Sequence, residues 1–186
     1  FVSKINMFIN YDHEDFCNLW ESLSKDAFTS PFYKSNQLSY TAQRPKDEGM
    51  KLENLSFIML LDNQPVAGFI GATVEKGGFK IVLAYEMPAL FVENLLLTKK
   101  ARKLFLQEFD RRINDCDQLY LTDLLPQGKI STLSTHLLNS GAKATPRLSQ
   151  IIDLTEDKAL LWRKVRKRYS SLINNGLRDL IPEILD

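Results

Sequence analysis

The apolar positions change period several times along the chain, and each change marks an element. Phe16, Leu19, Trp20 and Leu23 recur at the i, i+3, i+4, i+7 spacing, which predicts a helix over residues 13–27 with one buried face. Asp12 stands before it as an N-cap and Pro31 lies beyond its end. Residues 32–44, FYKSNQLSYTAQR, mix aromatics with amides and pass into the polar run RPKDEG, a surface loop. Three strands are predicted next, SFIMLL at 56–61, PVAGFIGATVE at 65–75 and FKIVLAYE at 79–86. The connections DNQ and KGG are short and turn-forming, so the three strands make an antiparallel meander. Gly68 and Gly71 inside the middle strand predict a bulge or a close backbone approach.

After Pro88 the period becomes helical. Leu97, Ala101, Leu104, Phe105, Phe109 and Ile113 keep one face apolar, with Asn94 as N-cap. QLYLTD at 118–123 reads as a strand, KISTLSTHLL at 130–139 as a short helix stopped by Gly141, and 149–154 as a further strand. A last helix starts after Thr155, its N-cap, with Glu156 and Asp157 complementing the positive end of the dipole. This order predicts an α/β protein of α+β order, one mixed, mostly antiparallel sheet flanked by helices. Residues 1–154 form the domain, and 155–186 form a helix that packs on it or leads to another domain.

The composition is that of a globular protein, 44% apolar and 25% charged over 186 residues, with net charge +1. No apolar run approaches the roughly 20 residues of a membrane-spanning helix. The N-terminus has no charged region followed by an apolar stretch, so no secretion signal is expected. The chain begins at Phe1, and trimming, processing or excision from something longer is expected. Cys17 and Cys116 lack partners at metal or redox spacing and read as buried free thiols, which fits a reducing cytoplasm. His13 and His136 have no His or Cys nearby, so no metal site is predicted. No Walker loop or nucleophile elbow is present. Glu86, Asp117 and Asp123, carboxylates at strand ends, are candidate general bases that the sequence does not rank.

Two basic clusters stand out against the near-neutral total. Arg163, Lys164, Arg166, Lys167 and Arg168 occupy five of six successive positions. On a helix they spread over the side opposite Leu161, Val165, Tyr169 and Leu172. They form either a solvated face or a site for a polyanion. Lys99, Lys100, Arg102 and Lys103 fall in the early turns of the helix after Asn94, where cations oppose the dipole. They are either tolerated on an exposed surface or kept there by an anionic ligand.

Several stretches together resemble the FemAB/FemX family of peptidyltransferases, within the GNAT superfamily. TSPFYKSNQLSY at 29–40, followed by Arg44, is similar to the family's early segment. DNQPVAGFIGATVE is similar to its hairpin, and LAYEMPAL to the strand that ends on a small-residue and proline pair. SQIIDLTEDKALLWRKVRKRYSSLINNGLR is similar to its strand, acidic cap and basic helix leading into a glycine and the next domain. Asn174 and Asn175 stand where the family has a basic and a small residue.

The resemblance implies an N-terminal GNAT-like domain of an N-acyltransferase that moves an acyl or aminoacyl group to an amine of a bacterial cell-envelope precursor. It implies an acyl or aminoacyl donor, tRNA among them, no cofactor, and a second GNAT-like domain as partner. It implies that Lys34, Asn36, Gln37, Tyr40, Arg44, Tyr85 and Glu86 line the acceptor cleft, and that Arg166, Lys167 and Arg168 contact an anionic donor or acceptor. GNAT-type acetyltransferases hold the coenzyme A pyrophosphate on a Gly-rich turn. The corresponding stretch here, ENLLLTKKARKLF at 93–105, has no glycine. Two further readings stay open, a non-catalytic GNAT-like module binding a protein or polyanion, and a coenzyme A acetyltransferase with a degenerate loop.

Overall fold

The run FIMLL has no polar alternation because both of its faces are covered. In the strand β3 (Phe57–Leu61), Phe57 and Met59 enter one core cluster and Ile58 and Leu60 the other, as the two-residue side-chain period requires. The computed structural model describes residues 5–25, 34, 38, 51–84, 88–91, 99–123, 130–147, 155, 157–164 and 167–179. It divides into two units, Phe1–Lys143 and Ala144–Asp186.

The first unit contains β1 (Ile5–Asn10), the helix α1 (Phe16–Ser24), β2 (Leu52–Asn54), β3, β4 (Gln64–Phe69), β5 (Ala72–Lys76), β6 (Phe79–Ala84) and β7 (Ala89–Phe91). The helix α2 (Lys99–Ile113), β8 (Gln118–Leu121) and the helix α3 (Thr132–Asn139) follow. Strand order is β1-β3-β4-β7 in one sheet and β2-β5-β6-β8 in the other. Every pairing is antiparallel except β6 with β8, which is parallel. This is the mixed, mostly antiparallel architecture with flanking helices that the sequence predicts. The two sheets are successive halves of one meander, since β2 passes into β3 through Leu55 and Ser56, and β4 into β5 through Ile70 and Gly71.

Pairing is carried over that break by a side chain. The buried Ser56 hydroxyl donates to the Gly71 carbonyl at 3.2 Å and accepts the Gly71 N–H at 3.1 Å, and the Leu55 N–H donates to the same carbonyl at 2.9 Å. On the next strand the register slips. From the Ala72↔Leu83 pair to the Phe69↔Ala89 pair, one strand advances three residues and the other six. A surplus of this kind bends a strand and re-aims it.

Helices cover both faces. Phe16, Trp20 and Leu23 of α1 are buried with Ile58, Leu60 and Leu90, and a Cβ at Gly68 would stand 2.7 Å from Trp20 Cζ3. The glycine therefore serves close approach of helix to sheet. On the opposite face, α2 sets Phe105 tilted against Phe57 and Phe109 edge-on to Phe69, each with ring centroids 5.0 Å apart. Burial of each such ring contributes about 1.5–3 kcal/mol.

Arg112 ties the layers together. Its Nε donates to Glu108 Oε1 at 2.8 Å, its Nη1 to the Leu55 and Ser56 carbonyls at 3.3 Å each, and its Nη2 to Asn10 Oδ1 at 2.5 Å. The guanidinium also lies 4.6 Å over the Phe57 ring. One side chain thus joins α2, the β2–β3 break and the end of β1.

Several expectations are corrected. The first helix starts at Phe16, because residues 11–15 are spent in turns in which the His13 N–H donates to the Asn10 carbonyl and the Phe16 N–H to the His13 carbonyl. Asp15 takes the cap position in place of Asp12. The middle strand is divided at Ile70 and Gly71. Ala89–Phe91 after Pro88 is a strand, while Asn94 and Leu97 lie outside the described residues. Ser131 caps α3 by accepting the Ser134 N–H at 3.1 Å, and Gly141 ends that region at φ +94°.

In the second unit the predicted helix is described as α4 (Lys158–Lys164) and α5 (Lys167–Asp179). Asp157, not Thr155, caps α4, its Oδ1 accepting the Ala159 N–H at 2.8 Å, because the carboxylate sits directly before the orphan donors of the first turn. The predicted strand 149–154 lies outside the described residues. No helix among the described residues is long and apolar enough to cross a membrane.

Candidate functional site

The parallel pair gives the first unit a direction. α2 ends at Ile113, the Cys116 N–H bonds back to Ile113, and Asp117 then meets Lys80. Asp117 Oδ2 accepts the Lys80 N–H at 2.7 Å, and the Asp117 N–H donates to the Lys80 carbonyl at 2.8 Å. The C-terminal end of α2 therefore lies beside the start of β6, and its first turn lies toward the other end. Asp117 is thereby a strand-pairing residue at the far end of the sheet from the site described next.

Toward that other end, β8 pairs with β6 from Ile81↔Gln118 to Ala84↔Leu121, and the Thr122 N–H donates to the Ala84 carbonyl at 2.9 Å. Beyond the register slip, β7 pairs with β4 and the Ile70 N–H donates to the Pro88 carbonyl at 2.7 Å. Among the described residues β7 has no strand on its second side.

Two kinds of charge face this end. Asp123, just past β8, accepts the Ser134 hydroxyl at 2.6 Å through Oδ2. Ser134 stands in the first turn of α3, which Ser131 caps, and the buried Leu133 fixes that helix to the core. Asp123 is in this way held by a rigid element just past the C-terminal end of β8. At the first turn of α2, Lys99, Lys100, Arg102 and Lys103 are all exposed around the buried Ala101, with no acidic residue in that turn. A carboxylate at a strand end can take a proton from an amine. Four cations at a helix start can hold phosphate oxygens.

The residues implied by the resemblance fare unevenly. Lys34 is exposed, and its carbonyl accepts the Leu38 N–H at 2.9 Å. Leu38 is buried in the core beside α1, and the Tyr11 hydroxyl donates to its carbonyl at 3.2 Å. Burial, and then the neighbouring Cys17, raise the Tyr11 phenol above its ordinary range. Asn36, Gln37, Tyr40, Arg44, Tyr85, Glu86 and Arg166 lie outside the described residues, and Lys167 and Arg168 open α5 in the second unit. Asp123 with Ser134, and Arg112, were not singled out as contacts by sequence reasoning. The one available signal was Ser131 preceding the helix as its cap, which sets Ser134 one turn inside it. The two cysteines are free and half-buried, and burial pushes the Cys116 thiol up. Among the described residues no group of three or more His, Cys, Asp or Glu could hold a metal ion.

No protein-family model matches the chain, and no curated protein does. Among solved structures, the chain is similar to the aminoglycoside N-acetyltransferase AAC(6')-Iy in complex with CoA. The TM-score is 0.47 and the identity 14%, over 82% of this chain and 96% of that one. At that distance the likeness assigns neither a ligand nor a site residue.

Proposed function

We propose that this protein is a GNAT-like N-acyltransferase, residues 1–154 forming the transferase domain and 155–186 the helix leading from it. The reading is supported above all by the Asp123 carboxylate, held by Ser134 just past the C-terminal end of β8, with an exposed cationic helix start toward the same end of the sheet. The anionic part of an acyl donor meets Lys99, Lys100, Arg102 and Lys103. Asp123 receives the proton as the acceptor amine attacks the acyl carbon and the donor's leaving group departs. Catalysis of this kind comes from positioning and from stabilising developing charge.

The finer reading is of the FemAB type, with an aminoacyl or acyl donor such as a charged tRNA and an amine of a bacterial envelope precursor as acceptor. Lys34, Asn36, Gln37, Tyr40, Arg44, Tyr85 and Glu86 are the residues proposed for the acceptor. A second reading, transfer from coenzyme A, is favoured by the four cations at the start of α2, which suit a pyrophosphate even without glycines.

Thermal shift separates the two. Ligand at about 100-fold over Kd should raise the melting temperature by roughly 5–10 °C. A response to tRNA or a UDP-sugar precursor supports the FemAB type, and a response to coenzyme A supports the second reading. Either should vanish in Lys99→Glu with Lys100→Glu. No response to any of them sinks the transferase proposal.

A further inference from the structure

In the second unit, α5 is amphipathic, and two of its apolar residues are exposed. At ~100° per residue, Tyr169, Leu172, Ile173, Gly176 and Leu177 fall within one arc, and Lys167, Arg168 and Arg178 occupy the remaining side. Tyr169 and Ile173, near the middle of the apolar arc, are 56% and 41% exposed. A helix with such a face ordinarily buries it. Upstream, α4 exposes Trp162, at 42%, next to the exposed Arg163.

We propose that this unit docks on an anionic lipid surface, lying in the plane of the interface with its apolar residues among the acyl chains and its cations against headgroup phosphates. Charge decides the occupant. Residues 158–179 hold seven Lys and Arg and one carboxylate, Asp179, in a chain whose net charge is +1. A second copy of α5 would bring like-charged flanks together, which opposes self-pairing. Exposed Trp and Tyr beside cations match the boundary between water and acyl chains, where aromatic rings with polar tips settle. The proposal stands apart from the transferase reading, since it uses no residue of the first unit.

The test uses the full chain and two kinds of vesicle, phosphatidylcholine alone and phosphatidylcholine mixed with phosphatidylglycerol. Co-sedimentation is expected only with the anionic vesicles and should weaken as salt is raised. Trp162 emission should shift to the blue on binding, whereas Trp20, fully buried, contributes no shift. Arg163→Gln with Arg168→Gln should lower the partition coefficient roughly thirtyfold, about fivefold for each cation. Tyr169→Ser with Ile173→Ser should abolish binding at an unchanged melting temperature.

Equal sedimentation with both vesicles, no sedimentation, or an unshifted Trp162 would overturn the proposal. So would a dimer in the absence of vesicles that the Tyr169 and Ile173 variant dissolves, which would give the face to a second copy. A lowered melting temperature in that variant would give the face to the chain's own core, with the same result.

Discussion

Arg112 shows how much a single side chain can hold. Its guanidinium and the Glu108 carboxylate are each only 11% exposed, so neither partner is compensated by water when the other is removed. Arg112→Ala leaves the Leu55 and Ser56 carbonyls and Glu108 short of a donor, and should cost about 3 kcal/mol in urea unfolding. Arg112→Lys should recover less than half of that, because an ammonium cannot fork between a carboxylate and two carbonyls. Glu108 adds a dependence on pH. Hydrogen bonds from Arg111 first, and from Arg112, hold its carboxyl below the ordinary 4.5 against the effect of burial. A carboxyl depressed on folding stabilises fully above its unfolded value and loses that contribution as pH falls through its folded one. The stability advantage over Glu108→Gln should therefore be complete at pH 7 and shrink as pH drops below 4.5, as measured by urea midpoints across that range.

The strands and helices were legible where one side-chain period dominates, and obscure where a strand is short or broken. α1, β3, β6, α2 and α3 follow from their apolar spacing. β1, β2 and β7 do not, because β2 and β7 have only three residues each, too few to display a period, and INMFIN in β1 follows neither the strand nor the helix period. The division between β4 and β5 is signalled by Gly68 and Gly71, yet Ser56, which bonds both polar groups of Gly71, lies 15 residues away. No local rule links them. Ser56→Ala should leave the Gly71 N–H unsatisfied in a buried position and lower stability by about 1–3 kcal/mol. Hydrogen exchange should show the Gly71 amide losing protection before its neighbours in β4. The candidate site was legible only in part. The cations of α2 and the carboxylate of Asp123 show in the sequence, whereas the bond from Ser134 that holds Asp123 spans 11 residues and follows from no local rule.

The first unit holds both of the core clusters described. Among the described residues, both core clusters draw on positions between Phe8 and Leu137, all within Phe1–Lys143. A fragment of residues 1–143 should therefore unfold cooperatively, with a melting temperature within a few degrees of the full chain. A molten fragment that binds hydrophobic dye would contradict that division.

The hydrogen bond from Arg112 to Asn10 spans 102 residues, and it bears on how the protein is made. β1 leaves the ribosome well before the residue that pins its end, which emerges only after all of β7 and most of α2. Until then β1 has its partner β3 but lacks the guanidinium at Asn10, and a strand end left unpinned is open to mispairing with neighbours on a polysome. Synthesis slowed before that arginine would lengthen the hazard, so the yield of native protein depends on translation speed over the stretch between Phe91 and Arg112.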